Sequence, residues 1–409
     1  MPNLQKNGRH FANGNGQRKC RMANQESALL RLLGQHSYKR IAELDEPDLG
    51  LAEHRPYPFM AIVGQLEMRT ALLLAVINPA IGGVLLIGPR GIAKTTAVRS
   101  VTGILPHIEV SNCDEDILPE DLQVLEPDVA EALYPDCYEK FIRGEDISHH
   151  DSVKLVELPL NARLEDVVGG LNERAAVHHN AVRIERGILS RADKNILYVD
   201  EINLLDDEIV DAILDAAAQG SYTVRRGANI GTYRARFVLI GSMNPEEGRL
   251  RPQIMDRLGL RVNVRGLTEI DERIEVYKRV RDFRRNPTAF IRQWELETAE
   301  AREEIILARE NLKKTELPDE TIRVGVELVN QLDIDSHRAE FTMFEAARAY
   351  AAADDRTEVT MDDLMVVAPL ALRQRRSEFM VNFFHRQSDE DIQIRDVLDS
   401  IIDKQTRAR

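Results

Sequence analysis

The stretch Gly88-Pro89-Arg90-Gly91-Ile92-Ala93-Lys94-Thr95-Thr96 decides how this chain folds. Before it runs Gly82-Gly83-Val84-Leu85-Leu86-Ile87, a short apolar run bounded by glycines, the pattern of a buried parallel strand. After it, from Thr95, a helix is expected. In a strand–loop–helix context, successive backbone N–H groups curl around phosphate oxygens, which requires residues with little or no side chain. The positive end of the helix dipole faces the same anion. Lys94 is then placed to neutralise the β and γ phosphates and the Thr95 hydroxyl to ligate Mg2+, with Thr96 next in the helix. ATP and Mg2+ are the expected cofactors. The usual pattern has Gly before the Lys, where this chain has Ala93; a methyl group is tolerated there if that residue's φ is negative. A glycine-containing turn that binds nothing is the plainer reading. The coincidence of strand, glycines, Lys and Thr argues against it.

Two more apolar runs follow, Ile196-Leu197-Tyr198-Val199-Asp200 and Phe237-Val238-Leu239-Ile240-Gly241. The first ends in Asp200-Glu201. Asp200 is expected to hold Mg2+, directly or through a water, beside Thr95. Glu201 is expected to orient and polarise the water that attacks the γ phosphate. Many strands end in two solvated acids, and only the preceding phosphate loop gives this pair its meaning. The third run leads to Asn244, whose amide can bond the γ phosphate or the attacking water, or simply open the turn at Pro245. Helices separate the strands. Gln65 to Ile77 places Leu66, Met68, Ala71, Leu72, Ala75 and Val76 on one face, and Asn78-Pro79 ends it. Asp207 to Ala218 places Ile209, Val210, Ile213, Leu214 and Ala217 on one face, with Gly220 as its C-terminal cap. Buried strands alternating with helices predict an α/β fold with a mainly parallel sheet. From about Thr268 the pattern is almost all helical. The expected organisation is a mobile basic tail and connector over 1–55, a nucleotide-binding α/β domain over 56–265, and a helical domain over 266–409.

The 54 Lys+Arg against 68 Asp+Glu give a net charge of -14, which argues against a generally basic nucleic-acid binder. No apolar run is long enough to span a bilayer; Ala71 to Leu86 is interrupted by Asn78, Pro79, Gly82 and Gly83. The N-terminus has no apolar signal-peptide core, so a cytoplasmic location is expected. Residues 1–22 read as a solvated tail, with a basic arm for an acidic partner as the alternative. Gln25 to Ala42 reads as a short helix. Three cysteines, Cys20, Cys113 and Cys137, are too few for a disulfide framework and fit a reducing compartment. Two of them lie in a long acidic insertion, Val110 to Lys154. With His107, His149 and His150 they offer a zinc site, but the spacing matches no familiar metal motif. Free or packed thiols are the favoured reading, and a redox pair a further one. His178 and His179 read as exposed histidines, and Trp294 as packing.

Together these pieces resemble an AAA+ ATPase, and more closely the magnesium-chelatase subunit I family. The resemblance is carried by Ala61-Ile-Val-Gly-Gln65, Ile81-Gly-Gly83, Leu158-Pro-Leu160, Glu165-Asp-Val-Val-Gly-Gly170, Gly187-Ile-Leu-Ser-Arg-Ala192, Tyr198-Val-Asp-Glu-Ile-Asn-Leu-Leu205, Gly241-Ser-Met-Asn-Pro-Glu-Glu-Gly248 and Leu250-Arg-Pro-Gln-Ile-Met-Asp-Arg-Leu-Gly-Leu260. It covers roughly half the chain closely and the helical lid more loosely. The resemblance implies an AAA+ core with a helical lid and a ring, usually hexameric, with ATP at subunit interfaces. It implies that Arg257 is the arginine finger reaching into the neighbouring site; a surface ion pair is the plainer alternative. Leu158 to Gly187 corresponds to the family's helix insertion, and Ser221 to Arg236 to its hairpin before the third strand. The hairpin's Arg225, Arg226, Arg234 and Arg236 face either the ring pore or solvent. Where the family has a sensor Arg on the lid, this chain has Glu345. A carboxylate cannot bind phosphate, so Arg338 or Arg348 is left for that role, and Arg338, at the start of that helix, is the candidate site residue. The Ile92-Ala93-Lys94 of the loop is closer to the related MoxR-type ATPases.

Two functions follow from the resemblance. One is the ATPase motor of a magnesium chelatase, driving Mg2+ insertion into protoporphyrin in chlorophyll or bacteriochlorophyll synthesis. Its partners would be a von Willebrand A-domain AAA+ subunit and a large porphyrin-binding subunit, with no nucleic acid and no membrane span. The other is a MoxR-like remodelling ATPase with a different von Willebrand A-domain partner. A non-hydrolysing scaffold is a third class, opposed by the intact Lys94, Thr95, Asp200, Glu201, Asn244 and Arg257.

Overall fold

The structure, a computed structural model, describes residues 56–113, 117–171, 184–226, 229–248, 250–376 and 393. The expected tail, the helix over Gln25 to Ala42 and the histidines at 178 and 179 lie outside the described residues.

Among the described residues eleven strands run in chain order as β1 Val84–Ile87, β2 Ile108–Ser111, β3 Ser148–Asp151, β4 Leu155–Glu157, β5 Gly169–Leu171, β6 Ile184–Arg186, β7 Ile196–Val199, β8 Ser221–Arg226, β9 Asn229–Arg234, β10 Val238–Met243 and β11 Leu260–Asn263. Five of them form one parallel sheet in the order β11-β1-β10-β7-β4. The three runs read as strands are its central members. β4 and β11 flank them. Both are short, and Glu157 and Arg261 interrupt the apolar pattern that marks the central strands.

Because side chains alternate across a strand, the sheet divides the interior in two. Val84, Leu86, Ile196, Tyr198 and Ile240 face one core, together with the helices α1 Leu66–Ile77 and α2 Lys94–Val101 and the lid. Leu85, Ile87, Leu197, Val199 and Leu239 face the other, covered by the helix α3 Asp207–Gln219 through Ile209, Val210, Ile213 and Leu214. Gly220, at φ 66, ends α3 in the left-handed turn its sequence signalled.

The helical C-terminal region contains α4 Ile270–Arg285, α5 Pro287–Gln293, α6 Glu295–Leu312, α7 Asp319–Gln331, α8 His337–Ala353 and α9 Met361–Leu372. Six buried alanines of α8, from Ala339 to Ala352, let neighbouring elements approach closely. Trp294 is a packing residue: it is fully enclosed, with the Arg279 guanidinium 4.9 Å over its ring. Glu345 fastens α8 to the end of α1, since it accepts a hydrogen bond from Asn78 Nδ2 at 2.7 Å. Among the described residues no helix is long and apolar enough to cross a membrane.

The acidic insertion is folded. β2 and β3 form an antiparallel ribbon. Three short helices, Pro119–Val124, Pro127–Leu133 and Pro135–Ile142, each start on a proline, whose missing N–H costs nothing there. Cys113, Ile117, Leu122, Ala130, Cys137 and Ile147 make a small core of their own. The favoured reading of these cysteines as free thiols is corrected: Cys113 and Cys137 are joined in a disulfide, Cα–Cα 6.2 Å. Two short helices and the start of a third separate these residues, 24 apart, and their meeting was not revealed by their spacing alone. Among the described residues no group of three or more His, Cys, Asp or Glu is placed to hold a metal.

β8 and β9 form the expected hairpin. Two of its arginines point home. Arg234 holds Asp121 of the insertion through two bonds of 2.8 and 2.6 Å, and Arg236 pairs with Asp193 at 3.0 Å. Arg225 is exposed.

Candidate active site

The loop after β1 is built by close approaches. A Cβ on Gly88 would lie 2.3 Å from the Val264 carbonyl, so only glycine fits there. Gly91 takes φ 80, a left-handed backbone that favours glycine, and a Cβ on it would meet nothing within 4 Å. Ala93 does not meet the condition under which a methyl group is tolerated: its φ is 68, not negative. The loop keeps the left-handed backbone that its usual glycine supplies, and the alanine bears the strain.

Lys94 is the first residue of α2 and is only 9% exposed. Its Nζ donates to the Gly88 carbonyl and, at 2.9 Å, to that of Pro89. Burial lowers its pKa, opposed by the charges of Asp200 and Glu201. Thr95 follows. Its Oγ1 lies 3.1 Å from the Tyr198 hydroxyl, which donates to Asp200 Oδ1 at 2.9 Å. Ser242 on β10 donates to the same oxygen and accepts the Glu201 backbone N–H at 3.2 Å. Glu201 sits at the end of β7 with φ 51, a second strained non-glycine residue at this place. Its Oε1 pairs with Arg90 at 2.7 Å, and Arg90 also reaches Glu247 at 2.8 Å. Asn244 is buried; its Oδ1 takes the Glu246 N–H at 3.3 Å, which leaves its NH2 as the remaining donor.

Arg90 to Thr96, Asp200, Glu201, Ser242, Met243 and Asn244 line one cleft of about 290 Å3. The sequence-derived loop, acids and amide therefore converge, although they lie up to 154 positions apart. The donor set fits ATP with Mg2+: a buried cation and an open loop of N–H groups for phosphate, and a hydroxyl and a carboxylate, hard oxygen ligands, for the metal. A larger cavity of about 700 Å3 lies elsewhere, along β4 between the insertion and the hairpin.

Arg257 and Arg338 do not line the cleft. Arg257 ends the short helix Pro252–Arg257 and pairs with Asp211 at 3.3 Å and Asp215 at 2.9 Å on α3. Arg338 is 59% exposed, 3.9 Å from Asp256. Arg348, the other sensor candidate, does not line the cleft either; it is tied to Glu345 at 3.0 Å and to the carbonyls of Leu312 and Thr315. Sequence reasoning missed Tyr198, Ser242 and Glu247. The signal for Tyr198 was its place two residues before Asp200, on the same side of the strand.

Residues 172–253 match the family model described as magnesium chelatase, subunit ChlI, and residues 325–396 match the AAA lid domain. A magnesium-chelatase subunit ChlI homolog of Methanocaldococcus jannaschii is 42% identical over 354 residues, 82% of this chain and 93% of the relative. The chain belongs to the magnesium-chelatase ChlI family. Among other ChlI-family relatives, the magnesium-chelatase 38 kDa subunit of Acidiphilium rubrum is 41% identical over 78% of this chain and 90% of its own length. The 38 kDa subunit of Rhodobacter capsulatus is 39% identical over 81% and 91%. A solved chain from a complex between subunits BchI and BchD of magnesium chelatase is 39% identical, covering 79% of this chain and 97% of that one, with a TM-score of 0.44. A putative ATPase from Cytophaga hutchinsonii shares the fold at 18% identity and a TM-score of 0.50, over 77% of this chain and 83% of that one. The parallel sheet, the phosphate loop and the helical lid are those of an AAA+ ATPase, as expected from the sequence.

Proposed function

We propose that this ChlI-family chain binds ATP in the cleft between Gly88–Thr96 and Asp200-Glu201 and hydrolyses it as the motor of a magnesium chelatase. The observation that carries the reading is the convergence of Lys94, Thr95, Asp200, Glu201 and Asn244 on one cleft. Lys94 turns from the loop carbonyls to the β and γ phosphates. Thr95 and Asp200 hold Mg2+, which when bound offsets phosphate charge. Glu201 takes up the proton of the attacking water, and Asn244 donates to that water or to the γ phosphate. Arg257 leaves Asp211 and Asp215 to act in the next protomer of a ring, and Arg338 reads the nucleotide from the lid.

The names of the relatives, magnesium-chelatase subunits, support magnesium chelation as the task; protoporphyrin as the acceptor, and a von Willebrand A-domain subunit and a porphyrin-binding subunit as partners, are what the sequence resemblance implies. The test is to reconstitute the chain with magnesium-chelatase partner subunits and follow ATP-dependent metalloporphyrin formation. Formation that needs this chain supports the proposal. ATP hydrolysis with no metalloporphyrin moves the task to the MoxR-like reading, which Ala93 in the loop and Glu345 on the lid favour.

A further inference from the structure

We propose that Tyr198 is a positioning residue for the nucleotide-bound Mg2+: its hydroxyl relays the hydrogen bond between Thr95 and Asp200 and thereby sets which oxygens face the cation. This rests on the reading of the cleft as an ATP–Mg2+ site.

Proton counting fixes the direction of each bond. An ionised Asp200 only accepts, and a phenol carries one proton. Tyr198 therefore spends its proton on Asp200 Oδ1, 2.9 Å away. What remains on its oxygen is lone pairs, so the 3.1 Å contact with Thr95 is one in which Thr95 donates. The Thr95 proton is thus turned onto Tyr198, and the Thr95 lone pairs are free for a cation. Asp200 Oδ1 receives a second proton-bearing group, the Ser242 hydroxyl. Two donors fill that oxygen and leave Oδ2 as the atom that meets the metal or its water. Ser242 in turn accepts the Glu201 N–H, so the same chain fixes the backbone that carries the proposed base.

Tyr198 suits the task physically. It is 2% exposed and lies on β7, between β10 and β4, with Ile240 and Glu157 as its neighbours in register. Its ring therefore cannot swing away. A buried ring in a strand otherwise reads as packing, and Tyr198→Phe separates the two roles because it keeps the ring and removes only the relay.

The experiment uses the full chain. ADP affinity is measured by calorimetry in EDTA, and Mn2+ affinity of the ADP-saturated protein by electron paramagnetic resonance. Tyr198→Phe should leave metal-free ADP affinity unchanged and weaken Mn2+ binding about 10–100-fold, the usual effect of removing an outer partner of a metal ligand. Wild-type Mn2+ affinity in Tyr198→Phe overturns the proposal. A metal-free ADP affinity that falls as far as the metal affinity also overturns it, because the defect is then one of packing. If the wild type binds ADP with no response to Mn2+, the ATP–Mg2+ reading itself fails, and the proposal with it. Should Tyr198→Phe melt below the assay temperature, 3-fluorotyrosine at position 198 keeps the fold and weakens the phenol as an acceptor; Mn2+ affinity should fall, and an unchanged value overturns the relay.

Discussion

Replacing Ala93 by glycine has a sign that depends on one backbone angle. Ala93 adopts φ 68 and ψ 20 at the start of α2. A Cβ in the left-handed region costs about 1–2 kcal/mol. Glycine removes that cost but adds about 0.5–1 kcal/mol of unfolded-chain freedom that folding must take away. The net is a gain of about 0–1.5 kcal/mol, worth up to roughly 2 °C in Tm for a chain of this size. The residue is exposed, so no packing change confuses the result. Were φ negative, only the entropic loss would remain and Ala93→Gly would be destabilising. Ala93→Val should lower Tm, since a β-branched side chain tolerates positive φ poorly. The assay is thermal unfolding of the full chain, with and without ADP. A fall in Tm for Ala93→Gly, or valine tolerated as well as alanine, refutes the strained-loop reasoning.

Lys94→Ala should weaken binding of a non-hydrolysable ATP analogue by at least about 100-fold in calorimetry, because bonds from a charged donor contribute about 1.5–3 kcal/mol each; equal affinity would contradict the loop assignment. Arg257→Ala should still bind ATP and assemble yet hydrolyse about 10³–10⁵ times more slowly if the finger acts across the interface. Mixed with Glu201→Gln subunits it should regain part of that rate. If confirmed subunit exchange restores nothing, Arg257 is a structural partner of Asp211 and Asp215.

The sequence made the central fold legible where the physics is local. Val84–Ile87 and Ile196–Val199 are four-residue apolar runs that only a strand buried on both faces accommodates, and both are strands. The helix ending at Gly220 announced itself through its periodicity and cap. Leu155–Glu157 and Leu260–Asn263 stayed hidden because edge strands need less apolar surface, and Arg261 is buried only because carbonyls of Arg373 and Met255 receive it. At the site, Lys94, Thr95, Asp200, Glu201 and Asn244 were readable because phosphate and Mg2+ chemistry fixes their residue types. The partners of those residues were not. Arg90 meets Glu201 across 111 positions, a pairing set by tertiary structure alone. Nor could residue types report that Ala93 keeps a glycine's backbone, or that Cys113 and Cys137 meet.

The cleft is proposed to hydrolyse ATP with Glu201 as the base. The most direct test is phosphate release by wild type and by Glu201→Gln, with ATP binding measured on the same samples. The amide keeps the shape and the Arg90 contact but cannot take a proton. Wild type should turn over, and Glu201→Gln should bind ATP equally well while losing about 10²–10⁴ in rate. A mutant that releases phosphate at the wild-type rate, or a wild type that binds ATP and never cleaves it, would contradict the account.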